Sequence, residues 1–294
     1  MQDRKALDGN AYALMVLLTA LWGFQQVTIK LAAADVSLVM QAAIRSIAAT
    51  ALLLAWARLR GIALFERDGS LRPGMLAGLL FGGEFVFIYA GLEYTNASRM
   101  IVFVYTTPPL TAFLLHFFVP GERLRAVQWA GVLLAFAGLA LAFADGFLVP
   151  GHTYIGDLCG VVAALLWAST TVVIRATRLA RASATKTLFY QLGVSALMLP
   201  LASLLMGEKG IVALTPLAVA SLAYQAVVVA FASYLAWFWL LTRYLAARLS
   251  VLSFLTPMFG VLFGVLLLSE PLTGSFAAAA LLVGAGIVLV NLPR

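Results

Sequence analysis

Along this chain polar residues gather in short stretches, and between them run apolar segments of roughly 20 residues, the length of helix that crosses a hydrocarbon core about 30 Å thick. Ten such segments stand out, at 10–31, 37–57, 73–92, 97–119, 126–144, 155–175, 185–206, 216–240, 247–269 and 275–292. The connections are too short to hold a soluble domain, so the pattern predicts an all-α integral membrane protein of ten transmembrane helices. The first segment follows a polar start with Arg4 and Lys5, as a secretory leader would. It is too long for one and carries Trp22, Gln25 and Gln26 in its second half, so it reads as a retained first span.

Of the 294 residues 63 % are apolar and 11 % charged, against about 45–50 % and 25 % in soluble domains. With a mean hydropathy of +1.02, too little polar surface remains to coat a water-soluble globule. Soluble enzymes, nucleic-acid binders and disordered chains are thereby excluded. The net charge of +7 follows topology instead. With the N-terminus cytoplasmic, the inner segments hold Arg4 and Lys5, then Arg58, Arg60, Arg67 and Arg72, then Arg123 and Arg125, then Arg175, Arg178, Arg181 and Lys186, then Arg243, Arg248 and Arg294. The outer side holds only Lys30, Arg99 and Lys209, and Arg45 sits inside a span. This bias puts both termini in the cytoplasm and the basic loops against anionic lipid. The single cysteine, Cys159, forms no internal disulfide, and with His116 and His152 as the only histidines no metal site or cofactor is expected.

The chain also repeats itself. Trp22 to Lys30 in the first span has a partner in Trp167 to Arg175 in the sixth, with the polar pair Gln25-Gln26 answered by Thr170-Thr171 at a shift of 145 residues. The same shift carries Tyr89 onto Tyr234. Arg99 to Pro108 matches Arg248 to Pro257, and Pro109 to Glu122 matches Pro257 to Glu270. Residues 1–145 therefore form one five-helix repeat and 146–294 a second, and an odd number of spans inserts the second upside down. Inverted repeats that enclose a site at their interface are a recurrent transporter design.

Arg45 to Leu54, Tyr94-Thr-Asn-Ala-Ser-Arg99, Thr107-Pro108-Pro109 running to Pro120-Gly-Glu122, and Thr256-Pro257 running to Leu268-Ser-Glu270 together resemble the EamA pattern of the drug/metabolite transporter superfamily. Within it the aromatic-rich sequence looks most like YddG-type exporters of aromatic and neutral amino acids. The resemblance implies spans one to four and six to nine around a central cavity, with spans five and ten peripheral, in a bacterial inner membrane. The chain departs from the pattern in its doubled proline and in Gln191, which stands where the second repeat would match Arg45.

Polar groups inside the hydrocarbon need a partner, water or a substrate. Glu84 is the only acidic residue well inside a predicted span. It and Arg45 both sit eight residues from an outer helix end, about 12 Å deep. They can form a structural ion pair, or Glu84 can bind a substrate ammonium or a proton. Trp22, Gln25 and Gln26 share a helix face, as do Trp167, Thr170 and Thr171, for packing or for lining a cavity. Gln225, Val229, Ser233 and Trp237 form an i+4 stripe, and Tyr89, Tyr105 and Tyr234 can offer hydroxyls to a substrate carboxylate. Pro108, Pro109 and Pro257 interrupt helical bonding, as static bends or as hinges. Lys30, Arg99, Arg175 and Arg248, at span ends, read as snorkelling anchors, and His116 as interfacial.

These features predict a secondary transporter of amino acids or similar small metabolites, working by alternating access on a substrate within the lipid bilayer. Export of another metabolite, a drug or a lipid is the alternative. No GxxxxGK[ST] motif offers an ATPase, so the substrate gradient and coupled protons both stay open as energy sources. A membrane enzyme lacks converging catalytic groups, and a channel lacks a repeated filter. Oligomeric state is not encoded in any pattern identified in the chain.

Overall fold

Hydrocarbon supplies no hydrogen-bond partners, so apolar runs close their backbone bonds within themselves, and in the computed structural model they fold as helices. The structure describes residues 6–119, 121–151, 154–269 and 275–292; Arg4, Lys5, Pro120, His152, Glu270 and Arg294 lie outside the described residues. The helices are α1 (Gly9–Ala32), α2 (Leu38–Leu59), α3 (Leu71–Gly91), α4 (Ala97–Val104), α5 (Thr107–Phe118), α6 (Ala126–Ala142), α7 (Tyr154–Ala176), α8 (Ala184–Leu205), α9 (Pro216–Ala223), α10 (Tyr234–Arg243), α11 (Ala246–Leu252), α12 (Leu255–Leu268) and α13 (Phe276–Asn291). No strand forms among the described residues; Val36 and Ile211 make an isolated bridge. Eight spans are long and apolar enough to cross a membrane: α1, α2, α3, α4–α5, α7, α8, α9–α10 and α11–α12. The apolar helices α6 and α13 are shorter.

Three segments expected to run unbroken are interrupted, each for a local reason. Pro108 and Pro109 fall in the first turn of α5, and Pro257 in the first turn of α12. There a missing N–H costs nothing, because first-turn amides have no intrahelical acceptor. The chain therefore stops one helix just upstream and starts the next. The Val104 carbonyl left over is taken by the Thr107 hydroxyl at 2.6 Å, and that of Ser253 by the Thr256 amide at 2.9 Å. Between α9 and α10 residues Tyr224–Ser233 form a π-helix, whose wider turns shift every side chain beyond it around the axis.

Helices from the two halves of the chain pack on one another: α2 and α3 on α8, α3 and α4–α5 on α7, and α1 on α12. Helices α6 and α13 pair along their length, at backbone contact. A Cβ on Gly286 would lie 2.5 Å from the Ala135 amide and the Gly131 carbonyl. At the upper end of the bundle, where α1 finishes, Glu208 accepts the amides of Val39 and Met40 at 3.0 and 3.1 Å, capping α2. There Asp157 on α7 takes a bidentate bond from Arg99 on α4. At the lower end, Arg175 on α7 pairs with Glu122, their side chains 1 % and 2 % exposed. Glu122 also accepts the amides of Ala246 and Ala247 at 3.1 and 3.3 Å, and Arg175 donates to the Leu241 carbonyl at 2.7 Å. Arg99, Arg175 and Arg248 are thus buried and do not snorkel; for the first two, a carboxylate on a neighbouring element removes the need to reach water.

Lys186 at the start of α8 holds Asp68, in the α2–α3 loop, at 2.8 Å. That bond, with those from Ser70, keeps the Asp68 carboxyl well below the usual carboxylate range. A depressed acid stabilises the fold fully above its unfolded pKa and loses that contribution as pH falls toward the folded value. Melting of purified protein should therefore drop from about pH 4 downward, and less steeply in Asp68→Asn. Gly286→Ala should cost about 1–3 kcal/mol in thermal unfolding, whereas Gly284→Ala, where an added Cβ meets no atom within 4 Å, should be neutral or slightly stabilising. Glu122→Ala, which strands a buried guanidinium, should cost about 3–5 kcal/mol in the same assay, while exposed Glu93→Ala should leave melting unchanged.

Candidate functional site

The packed helices leave a hollow at the centre of the bundle with a volume of about 480 Å³, inside the range of about 300–1,000 Å³ usual for small-molecule sites. Its rim reaches the exposed residues Lys30, Ala33 and Ala97 at the upper end, and its floor is the buried trio Ile174, Phe238 and Leu241. Directly beneath the floor lie Arg175 and Glu122, so the hollow opens at one end of the bundle and is shut at the other. No residue of α6 or α13 lines it.

Aromatic rings form its walls. Trp22 on α1 meets Tyr234 and Trp237 edge-on, at centroid distances of 6.2 and 5.8 Å. Phe81 on α3 stands edge-on to Tyr234 at 6.1 Å, and Phe85 stacks on Tyr89 at 6.4 Å. Across the hollow Tyr105, in the break between α4 and α5, meets Trp167 edge-on at 6.0 Å. Trp22, Trp167, Tyr89 and Tyr234, the residues related by the sequence shift, all line the cavity.

The polar groups differ in what they are free to do. Gln25, Arg45, Glu84, Gln191 and Thr256 line the cavity and are all at least nine-tenths buried. Each keeps a side-chain polar atom without a hydrogen-bond partner among the described residues, namely Gln25 Nε2, Arg45 Nε, Glu84 Oε2, Thr256 Oγ1 and both amide atoms of Gln191. The expected Arg45–Glu84 ion pair does not close: ion pairs among the described residues join Arg99 to Asp157, Arg175 to Glu122 and Lys186 to Asp68. The Arg45 guanidinium lies instead over the Phe85 ring, 4.5 Å from its centroid, where the π face answers part of its charge. Thr170 lines the cavity but donates its hydroxyl to the Leu166 carbonyl at 2.9 Å.

Two expected substrate contacts lie outside the cavity. Gln225 donates to Gln41 at 2.9 Å, and Ser233 accepts from Trp22 Nε1 at 2.8 Å while donating to the Val229 carbonyl at 2.6 Å. Gln225, Val229 and Ser233 stay together on the buried side of the π-helix, with Gln225 bonded to α2 and Ser233 to Trp22, while Tyr234 and Trp237 beyond it line the cavity. Ser233 fixes the Trp22 indole that forms the wall. Sequence reasoning passed over Thr256 and Phe81 as lining groups, and treated Gln191 only as a departure at the repeat mate of Arg45, which was the available signal.

The EamA-like transporter family profile matches the chain twice, over residues 10–144 and 154–292. An uncharacterized transporter of Archaeoglobus fulgidus is 27 % identical, over 97 % of this chain and 98 % of its own length. A probable amino-acid metabolite efflux pump of Escherichia coli is 25 % identical, over 94 % of this chain and 93 % of its own. A solved crystal structure with 24 % identity superposes with a TM-score of 0.81, over 96 % of this chain and 98 % of that one, and shows the same fold. With matches that take in nearly all of both halves, the chain belongs to the EamA-like transporter family of the drug/metabolite transporter superfamily and is a multi-span helical membrane transporter.

Proposed function

We propose that the chain is a secondary exporter of aromatic and neutral amino acids, or closely related metabolites, in a bacterial inner membrane. It works by alternating access between two inverted five-helix repeats, 1–145 and 146–294, with ten spans and both termini in the cytoplasm. The observation that carries this reading is the half-open central cavity, aromatic-walled yet holding buried polar atoms without a hydrogen-bond partner among the described residues. The two matches to the family profile support the duplication. The efflux-pump names of the relatives from Escherichia coli and Salmonella typhimurium support the direction and the substrate class.

In this reading the upper end faces outward, so the structure is an outward-open state. The Arg175–Glu122 pair with the start of α11 is the inner barrier, and to load substrate from the cytoplasm it must part. Trp22, Trp167, Tyr105, Tyr234 and Trp237 grip an apolar or aromatic side chain, because flat rings bury much apolar area with few degrees of freedom. Gln25, Tyr89 and Thr170 offer hydrogen bonds around it, with Arg45 and Glu84 at mid-depth. The breaks ahead of Pro108, Pro109 and Pro257 serve as hinges for the switch. The energy comes from the substrate gradient, or from protons exchanged at Glu84.

Proteoliposomes containing the full chain should take up labelled Phe, Trp, Thr or Met, and comparison with and without a pH gradient separates the two energy sources. Trp22→Ala and Trp167→Ala should each lower uptake at least about tenfold, the scale of an aromatic anchor lost from a pocket. Flux of some other metabolite beside none for all four amino acids would overturn the substrate assignment. Unchanged transport in a folded Glu84→Gln protein would remove Glu84 from the mechanism.

A further inference from the structure

Two buried arginines of this protein each close an ion pair. Arg175 meets Glu122 with both side chains almost fully enclosed, and Arg99 meets Asp157 through a bidentate fork. Arg45 and Glu84 are equally buried, at 2 % and 5 % exposure, and line the same hollow without joining. Beside them Gln191, at 1 % exposure, has an amide with neither donor nor acceptor used among the described residues. A buried polar group left unmet is costly, and three from separate helices around one cavity mark a place built for something else.

The deficits have a definite chemistry. They comprise one cation on α2, one anion on α3 and one neutral amide on α8. A lone carboxylate would answer Arg45 and leave Glu84 stranded, and a lone amine would do the reverse. A zwitterion answers Arg45 and Glu84 together on one small molecule, and it brings no net charge into the hydrocarbon. We infer that Arg45, Gln191 and Glu84 form a head-group subsite for a zwitterion, with the Arg45 guanidinium and the Gln191 amide receiving an α-carboxylate and Glu84 receiving the α-ammonium. This rests on the amino-acid exporter reading of the same cavity and adds to it which part of the substrate goes where.

The repeat gives the subsite its direction. Counted from the helix starts at Ser37 and Ser183, Gln191 on α8 stands where the first repeat has Arg45. With arginine at both positions the cavity would hold two anion-binding poles; with one it orients the head group in a single sense. The side chain is then directed to the rings of Trp22, Tyr234 and Trp237 or to those of Tyr105 and Trp167. The subsite also makes the transporter selective against compounds that differ from a substrate only by loss of one charge, such as decarboxylated amines and deaminated acids.

The test uses the purified full chain and three probes with one side chain: L-phenylalanine, phenethylamine without the carboxylate, and 3-phenylpropionate without the ammonium. Binding followed by intrinsic tryptophan fluorescence should favour phenylalanine by at least about tenfold over each analogue, the scale of one charged hydrogen bond lost. Glu84→Gln should weaken phenylalanine and narrow its advantage over 3-phenylpropionate alone. Arg45→Gln should narrow the advantage over phenethylamine alone. If all three probes bind wild-type protein alike, or if Glu84→Gln weakens all three equally, the subsite is wrong while the amino-acid reading stands. If none binds to protein that melts normally, the amino-acid reading itself falls, and the subsite with it. The wild-type comparison needs no variant, so poor folding of either substitution leaves the outcome decisive.

Discussion

Inside a bilayer nothing from the surroundings completes a hydrogen bond or answers a charge, and each polar group must find its counterpart in the chain or in what the chain carries. That constraint orders the molecule. Its backbone closes into helices, its helix breaks are sealed by hydroxyls and amides such as Thr107 and Thr256, and its terminal arginines turn inward to carboxylates. Six of the buried side-chain atoms left without a partner among the described residues, on Gln25, Arg45, Glu84, Gln191 and Thr256, gather in one hollow. The chain that gives Arg175 and Arg99 each a carboxylate leaves Arg45 without an ion pair to Glu84.

The same constraint separates what holds the protein from what works in it. Gln225 and Ser233 are hydrogen-bonded to neighbouring helices and belong to the frame: one ties the π-helix to α2, the other fixes an indole. Gln25, Glu84 and Gln191 retain free atoms and belong to the cavity. Packing makes a second division. Helices α6 and α13 meet through glycines at backbone distance and stand apart from the cavity, while α1, α2, α3, α7 and α10 all contribute to its wall.

Much of this was legible in the chain, because the bilayer writes itself into sequence as apolar length. The helical runs and the repeat mates Trp22 with Trp167 and Tyr89 with Tyr234 followed from period and repetition alone, and all four line the cavity. Glu84 was legible as an acid with no reason to be where it is. What stayed hidden was tertiary. Arg175 and Glu122 lie 53 positions apart, and no local pattern announces that they touch. The Arg45–Glu84 pair was inferred from equal depth, but depth along two helices leaves their rotation unspecified, and the Arg45 guanidinium lies over the Phe85 ring instead. The i+4 stripe keeps Gln225, Val229 and Ser233 on one buried face, but that face bonds to α2 and α1, and only Trp237 of the four reaches the cavity.

The doubled proline has a mechanical meaning that its first-turn position alone does not convey. Two neighbouring rungs of the ladder are absent between α4 and α5, since neither Pro108 nor Pro109 has an amide hydrogen to give. The joint is thus held by fewer backbone bonds than an unbroken helix, while the Thr107 hydroxyl keeps the orphaned Val104 oxygen covered. Tyr105 rides on that joint with its ring against Trp167. A small swing of α4 relative to α5 therefore moves an aromatic wall of the cavity directly, coupling the girder that bends to the surface that grips.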